Sequence, residues 1–478
     1  MIHEIGGRRI LFTDDRYIYR TTAVRRLHEP AKREVVLTFD APDEGSGTGS
    51  YLTLLHEEGL YRLYYLNWDM YKEYPRTACV LTSADGIRWE KPALRDGRNV
   101  VFDPKDYNQG IDNFIPFLDL NPAAKTEEKY KAFSGIGWNN LHAYASPDGY
   151  SWHPMFDNRK LDMEGAFDSS NLAFWDTVRG RYCAFIRNFH DIPADNNVNL
   201  GIRDIRVSWS DDFEHWTVPE LLDFGNAPDV PLYVSAAQPY FRAPEYFVGF
   251  PVRYVERYAW SPSFDQLSNP EHRRRRMEMH PRYGLAVTDC VFMASQDGGR
   301  VWERSEQAFL RPGPVGEKSW VYGDCYLSVG FAPTKADRPG EPDVLSFYAT
   351  ENHWNGPKTV RRWTLRQDGF VSLQAGGVQT VTETGALRFD GDRLELNIST
   401  AAAGSARVEL TDIRGRVLEG YSAADCDDIF TDRLDYTVSW NGKSDLSALA
   451  GKPVRLRFYM TDADLYAFRF AKKGEENG

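Results

Sequence analysis

A chain of 478 residues is too long for one ordinary hydrophobic core, so two domains, or one large repeat domain with an appendage, are expected. A formal net charge of −12 argues against nucleic acid and anionic membranes as partners, and no window is apolar enough to cross a membrane as a helix. Aromatic residues make up 14% of the chain, which suits a β-rich protein with flat faces for stacking on sugar rings.

The segment Met1-Ile-His-Glu-Ile has no basic stretch followed by an apolar run. The sequence as written therefore carries no export signal and points to the cytoplasm, with a trimmed secreted protein as the alternative. Cys79, Cys183, Cys290, Cys325 and Cys426 are scattered, without paired or metal-like spacing, and read as small buried hydrophobes. No metal or cofactor is assigned.

Arg9-Ile-Leu-Phe-Thr13 reads as a short strand placed to close a later repeat by pairing near Arg362–Leu373. From Tyr51 to Tyr65 two alternating apolar stretches flank a turn. A third stretch, Cys79-Val-Leu-Thr, leads into Ser83-Ala-Asp85-Gly86-Ile-Arg-Trp89. That phrase returns as Ser146-Pro-Asp148-Gly149-Tyr-Ser-Trp152 and Ser210-Asp-Asp212-Phe-Glu-His-Trp216. It returns again with one inserted residue as Ser295-Gln-Asp297-Gly298-Gly299-Arg-Val-Trp302, and in degenerate form as Arg366-Gln-Asp368-Gly369-Phe370. Five copies of three strands and a tight turn leading into a fourth describe a five-bladed β-propeller over residues 1–378. The basic run Arg273–Arg276, flanked by Glu271 and Glu278, reads as a solvated loop. From about Leu387 short alternating strands follow one another, and a C-terminal β-sandwich over 385–471 is the economical reading of this all-β tail.

In an antiparallel blade the turn between strands three and four lies opposite the loops that lead into strand one and join strands two and three. The Asp-Gly turns therefore mark the bottom. The top gathers Asp43 and Glu44, Asp112, Asp168, Asp229 and Asp324 ahead of first strands, and Asp204 and Asp289 at matching positions of two third strands. Second strands end at Trp68, Trp138, Arg187, Arg253-Tyr254, and Glu351-Asn-His353-Trp354. Two carboxyl groups across a pocket are what glycoside cleavage requires, and aromatic rings at the same mouth can stack on sugars.

The turn phrase resembles the Asp-box of sialidases, and the layout resembles the five-bladed superfamily of glycoside hydrolase families 32 and 43. That resemblance implies a glycosidase acting on a carbohydrate substrate, a furanoside among the candidates. By position Glu44 resembles the family's acidic nucleophile or base, with Asp43 as its rival, because Pro42-Asp43-Glu44-Gly45 stands where family 32 has Asn-Asp-Pro-Asn-Gly. Asp168 resembles the transition-state stabiliser of the Arg-Asp-Pro motif, although Phe167 and Ser169 flank it. The family's Glu-Cys acid has no counterpart in blade four, leaving Glu351, Asp204 and Asp289 as candidate acids. The candidate substrate-binding set is Asp43, Trp68, Asp112, Trp138, Arg187, Arg203, Arg253, Tyr254, His353 and Trp354. The competing readings are a non-catalytic glycan-binding propeller, and a sialidase-like or phosphorolytic enzyme using Arg187, Arg203 and Arg253 on an anionic sugar. The acid-rich rim favours an uncharged one.

Overall fold

The computed structural model describes residues 1–69, 76–107, 111–193, 201–316, 319–353 and 357–474. Five antiparallel sheets follow one another along the chain. Blade 1 is Ser50–Glu57, Leu60–Asn67, Thr77–Ser83 and Val100–Phe102; blade 2 is Asn113–Leu118, Tyr130–Gly135, Leu141–Ser146 and His153–Pro154. Blade 3 is Leu172–Asp176, Arg181–His190, Ile202–Ser210 and Glu220–Leu221. In blade 4 the second strand is broken into Ala243–Gly249 and Val252–Glu256, set between Gln238–Tyr240 and Ala286–Ser295, with Glu303–Leu310 outermost. Blade 5 takes Ala332–Thr334, Val344–Glu351 and Thr359–Leu365 from late in the chain and its outer strand, Ala31–Thr38, from near the start.

Ring closure thus falls to Ala31–Thr38 and not to Arg9–Thr13, a correction to the sequence reading. The charged alternation Ala-Lys-Arg-Glu-Val-Val-Leu-Thr suits a half-exposed blade edge. Ile10 and Leu11 are buried and pair instead with Phe468 and Ala467. They belong to a separate eight-stranded sheet built on the long strands Arg393–Thr411 and Arg455–Ala471. Ile18–Thr21, Val24–Leu27, Val371–Ala375 and Thr380–Thr384 join the same sheet, so residues 1–378 hold more than the propeller. Its core, from Ile5 and Phe12 to Leu394, Phe458 and Phe470, is distinct from those of the blades.

The repeated phrase works as a self-bonded turn. In blade 1, Ser83 Oγ accepts the Gly86 amide at 2.8 Å, and Asp85 Oδ1 accepts the amides of Ile87 and Arg88, each at 2.8 Å. Blades 2, 3 and 4 repeat this with Asp148, Asp212 and Asp297. The turns also join blades: Tyr64 of blade 1 donates to the Gly149 carbonyl of blade 2 at 2.9 Å. Glycine is required at that position twice over, since Gly149 has φ +79° and a Cβ there would stand 2.7 Å from the Tyr64 hydroxyl.

The fifth phrase has another role. Asp368, fully enclosed, accepts from Arg9 at 3.1 Å, from the Tyr240 hydroxyl at 2.7 Å and from Asn397 Nδ2 at 2.9 Å. Arg242 stands 3.2 Å from it, and both arginines also reach Asp435. Asp368 thereby ties blade 4 to the eight-stranded sheet, and the strand after it leaves the propeller.

The basic run is a second correction. It lies on a helix, Pro270–Met279, inserted between the second and third strands of blade 4. Arg273 and Arg276 are only 3% and 2% exposed. Spacing of three residues puts both on one helical face, which a linear count of charges does not reveal. Arg273 donates to the carbonyls of Gly284 and Trp320, whereas Arg274 faces outward and pairs with Asp265. All five cysteines are buried and free, and no helix among the described residues is long and apolar enough to cross a membrane.

Asp368→Ala leaves Arg9 and Arg242 buried with half their counter-charge and should cost about 3–5 kcal/mol in denaturant unfolding. Equal stability to the parent would show the cluster to be dispensable. Acid should also weaken the fold. Burial raises the Asp85 carboxyl, but the amides of Arg88 and Ile87 with the side chains of Ser83 and Arg88 outweigh it and hold it at about 2 against an ordinary 3.8. A depressed carboxyl contributes stability that is present above its unfolded value and lost as pH falls toward the folded one. Unfolding free energy should therefore drop between about pH 4 and pH 2, and less steeply in Asp85→Asn.

Candidate functional site

At the end of the propeller opposite the Asp-Gly turns lies a cavity of about 260 Å³. Blade 1 and its loops supply Ser50, Tyr51, Trp68 and Arg76; blade 2 supplies Asp112; blade 3 supplies Asp168 and Ser170. Tyr233 comes from blade 4, Tyr283 from the helical insertion, and Tyr322, Tyr326, Thr350 and His353 from blade 5. Tyr51 reaches it by way of a bulge. The blade 1 register shifts between Ser50 and Thr53, and Tyr51 takes φ 53°, a left-handed conformation costing a non-glycine residue about 1–2 kcal/mol.

Two carboxylates line this cavity, each matched with an arginine. Asp112 pairs with Arg76, whose guanidinium lies 4.5 Å from the Trp68 ring centroid. Asp168 pairs with Arg187 and its side chain is 47% exposed. Arg187 is itself buried, 4.4 Å from the Phe189 ring centroid and 5.1 Å from that of Tyr233. Tyr51 donates to the Asp168 carbonyl at 3.2 Å and stands 3.3 Å from the Tyr233 hydroxyl. Burial pushes the Tyr51 phenol up to about 12 and raises those of Tyr233, Tyr322 and Tyr326 as well. These rings stay neutral, and the Tyr326 hydroxyl is buried with no partner of its own among the described residues.

Further ionisable groups surround the wall. Burial keeps His353 neutral, with Lys358 and Arg276 adding to the effect. Burial, then Arg276, lowers Lys358 to about 7; its Nζ donates to the Gly47 carbonyl at 3.1 Å and lies 3.3 Å from Ser50 Oγ. Asp324, next to Gly323 of the wall, is raised to about 7, chiefly by burial and also by the charge of Glu351. Its Oδ2 accepts the Val321 amide at 3.1 Å, while its buried Oδ1 has no partner.

Of the expected residues, Asp112, Asp168, Trp68 and His353 meet at this cavity. Glu44 does not reach it: its carboxylate binds Lys91 at 2.6 Å and the Ala41 amide at 2.9 Å. Asp43 stands beside it, its carbonyl accepting Asn67 at 3.0 Å. Glu351 lies in a neighbouring cleft of about 350 Å³ with Asp324, and Arg361 at 2.8 Å and Lys32 at 3.1 Å overcome burial to lower its pKa. Asp204 is held by His190 at 3.1 Å and Arg206 at 3.2 Å, and Asp289 receives both ends of Arg253 at 2.7 and 2.6 Å. Arg203 lies 4.2 Å from the centroid of the Tyr254 ring, which packs against Tyr322 one layer behind the wall. Trp138 is 48% exposed at the rim, 5.8 Å from Phe189. Trp354 lies outside the described residues.

Sequence reasoning did not select Tyr51, Arg76, Tyr283, Tyr322 or Tyr326. The spacing Tyr322-Gly-Asp-Cys-Tyr326 beside a blade start was a usable signal; Arg76 comes from a loop and Tyr283 from the helical insertion, neither of which a repeat alignment places. Outside the cavity, His190, Asp191 and Asp229 bring ligand atoms within 4.8 Å of one another. His190 already bonds Asp204 and Asp229 through its two nitrogens, and against burial these carboxylates raise its pKa, so a protonated imidazole accounts for the cluster.

No protein-family model matches the chain, and no curated protein matches it in sequence. Among solved structures, an N-acetylgalactosamine deacetylase from F. plautii, in complex with blood group B trisaccharide, matches at 13% identity and TM-score 0.45, covering 71% of this chain and 94% of its own. A glycoside hydrolase family 43 arabinoxylan arabinofuranohydrolase from Bacillus subtilis matches at 11% identity and TM-score 0.39, covering 90% and 97%. An α-L-arabinofuranosidase from Fusarium graminearum matches at 8% identity and TM-score 0.39, covering 76% and 93%. Identities and scores this low leave the chemistry to be argued from the residues.

Gly323 has φ +102°, and a Cβ on it would meet the His353 ring at 2.2 Å. Gly323→Ala should displace the imidazole from the wall and lower thermal stability. An unchanged melting temperature and an unmoved His353 ring in a crystal structure of the variant would contradict this packing.

Proposed function

We propose that the protein hydrolyses a glycosidic bond in a glycan held by this tyrosine-lined cavity. One observation carries the reading: Asp112 and Asp168, from neighbouring blades, line the same mouth among rings suited to sugar faces and phenols suited to sugar hydroxyls. A carboxylate in an ion pair with arginine suits the nucleophile, the base for water, or the stabiliser of an oxocarbenium-like transition state, and is a poor proton donor. As donor we assign Asp324, which opens on the neighbouring cleft directly behind Gly323 of the wall and whose carboxyl burial raises to about 7. The role that position had suggested for Glu44 passes to the pair that lines the cavity.

Asp168→Asn and Asp112→Asn should remain folded, bind the glycan in calorimetry, and lose about 10²- to 10⁴-fold in turnover on a substrate found in a glycoside panel. Glu44→Gln should turn over at close to the parent rate. Near-full turnover in both Asp variants would place the chemistry elsewhere, and a panel in which nothing is cleaved but glycans still bind would favour a binding module. Because the acid form of Asp324 prevails below its raised pKa, the parent rate should fall as pH rises through about 7. In Asp324→Asn the rate should be low and this limb absent; an unchanged profile would exclude Asp324 as the acid.

A further inference from the structure

Three blades enter the cavity with the same pair of residues. Tyr51-Leu52 in blade 1, Tyr233-Val234 in blade 4 and Tyr326-Leu327 in blade 5 are each a tyrosine followed by an aliphatic residue, and all of them line it. An entry segment runs from the mouth toward the Asp-Gly turns, so the aliphatic member of each pair lies one residue deeper than its tyrosine. Leu52, Val234 and Leu327 are each only 4% exposed. Val329 lies deeper still: its carbonyl accepts the Leu54 amide at 2.7 Å and its amide donates to the Leu52 carbonyl at 2.8 Å. Blades 5 and 1 are thus stitched together, backbone to backbone, below the tyrosines.

The tyrosines themselves cross the gap. Tyr51 of blade 1 donates to the Asp168 carbonyl of blade 3 at 3.2 Å and stands 3.3 Å from the Tyr233 hydroxyl of blade 4, blades that are not its neighbours in the ring. One side chain therefore spans the propeller axis. Asn113 Nδ2 donates to the Phe167 carbonyl at 2.8 Å and Ser169 Oγ to the Tyr233 carbonyl at 3.3 Å, so the entries of blades 2, 3 and 4 are laced in turn. The cavity is a blind pit with an aliphatic floor, not a channel through the ring. At about 260 Å³ it is smaller than the roughly 300–1,000 Å³ of pockets that enclose drug-sized ligands, which leaves room for one sugar ring and none for a chain. Its open side lies toward blades 2 and 3. There the Asp168 side chain is 47% exposed, against 16% for Asp112, and Trp138, whose backbone bridges Ala166, stands exposed at the rim.

We propose, resting on the reading that this cavity binds and cleaves a glycan, that the protein acts only on chain ends: the pit takes the terminal residue at the non-reducing end, and the rest of the glycan leaves over Trp138. The direction follows from the chemistry. Hydrolysis breaks the bond at an anomeric carbon, where water replaces the leaving oxygen, and the leaving oxygen takes the proton of the acid. That carbon has to stand by Asp112 and Asp168, so the ring enclosed in the pit is the one that owns the broken bond. The products are one free sugar and a chain shorter by one residue. The aliphatic floor gives a further residue no path on the far side of the ring.

The test uses the full-length protein and pentasaccharides of arabinose, xylose, galactose, glucose and mannose, labelled at the reducing end, with the non-reducing terminal residue either free or O-methylated. In calorimetry a free-ended chain should bind about tenfold or more tighter than its methylated counterpart, and the first products should be monosaccharide and labelled tetrasaccharide. Val234→Leu adds one methylene at the floor and should weaken the free-ended chain about tenfold. Trp138→Ala should weaken the pentasaccharide about tenfold more than the methyl glycoside of the same sugar. Equal binding of free and methylated chains, labelled di- and trisaccharides among the first products, or undiminished affinity in folded Val234→Leu would overturn the proposal. Equal losses on both ligands in Trp138→Ala would overturn the exit over that ring. If Val234→Leu does not fold, the free and methylated chains on the parent decide. Free-end binding without cleavage sinks only the hydrolase reading, cleavage of internal bonds sinks only this one, and a panel in which nothing binds sinks both.

Discussion

The enclosed carboxylate of Asp368, set between Arg9 and Arg242, is the interaction on which the architecture depends. In four blades the turn aspartate is spent on the amides of its own turn. In the fifth it is turned outward to two arginines, one from the first residues of the chain and one from blade 4, with Tyr240 and Asn397 completing its shell. Four well-bonded turns make a ring, and the fifth makes a joint. A buried cluster of this kind adds little over an apolar contact of the same shape, but it tolerates few alternative registers.

From that joint the site follows. Blade 4 is the blade held by the joint, and it is also the blade that departs most from the repeat. Its second strand is broken and a helical insertion interrupts the passage to the third. The insertion brings Tyr283 to the cavity and Arg273 and Arg276 beneath it. The repeat supplies the scaffold, with carboxylates at equivalent blade starts, and the departures from the repeat add Tyr51, Arg76 and Tyr283 to the lining.

Local chemistry was the legible part. Ser-x-Asp-Gly-x-x-Trp specifies its own turn through hydrogen bonds two to four residues long, so it could be read without knowing what lies across space. The placement of Asp112 and Asp168 at blade starts was legible for the same reason. What escaped reading was decided at a distance. Glu44 sits at the expected position, but Lys91 captures its carboxylate. Arg273–Arg276 reads as a polar loop until the helix sorts its residues by face. Tyr51 reaches the cavity through a bulge that alternation does not register, and Ile10–Leu11 reads as a fine closing strand until Ala31–Thr38 takes the place.

The closing strand sets an order of assembly. Ala31–Thr38 leaves the ribosome before any blade and finds its partner, Thr359–Leu365, only after nearly the whole propeller has been made. Val24–Leu27 and Ile18–Thr21 wait for Val371–Ala375 and Thr380–Thr384, and Ile10–Leu11 longest of all, for Arg455–Ala471. During synthesis the first forty residues are therefore a tether without a dock, and the ring cannot close until blade 5 exists. The molecule is fastened like a belt, its buckle the pairing of Ala31–Thr38 with Thr359–Leu365, and the chain beyond the buckle at either end is tucked into one sheet beside the ring.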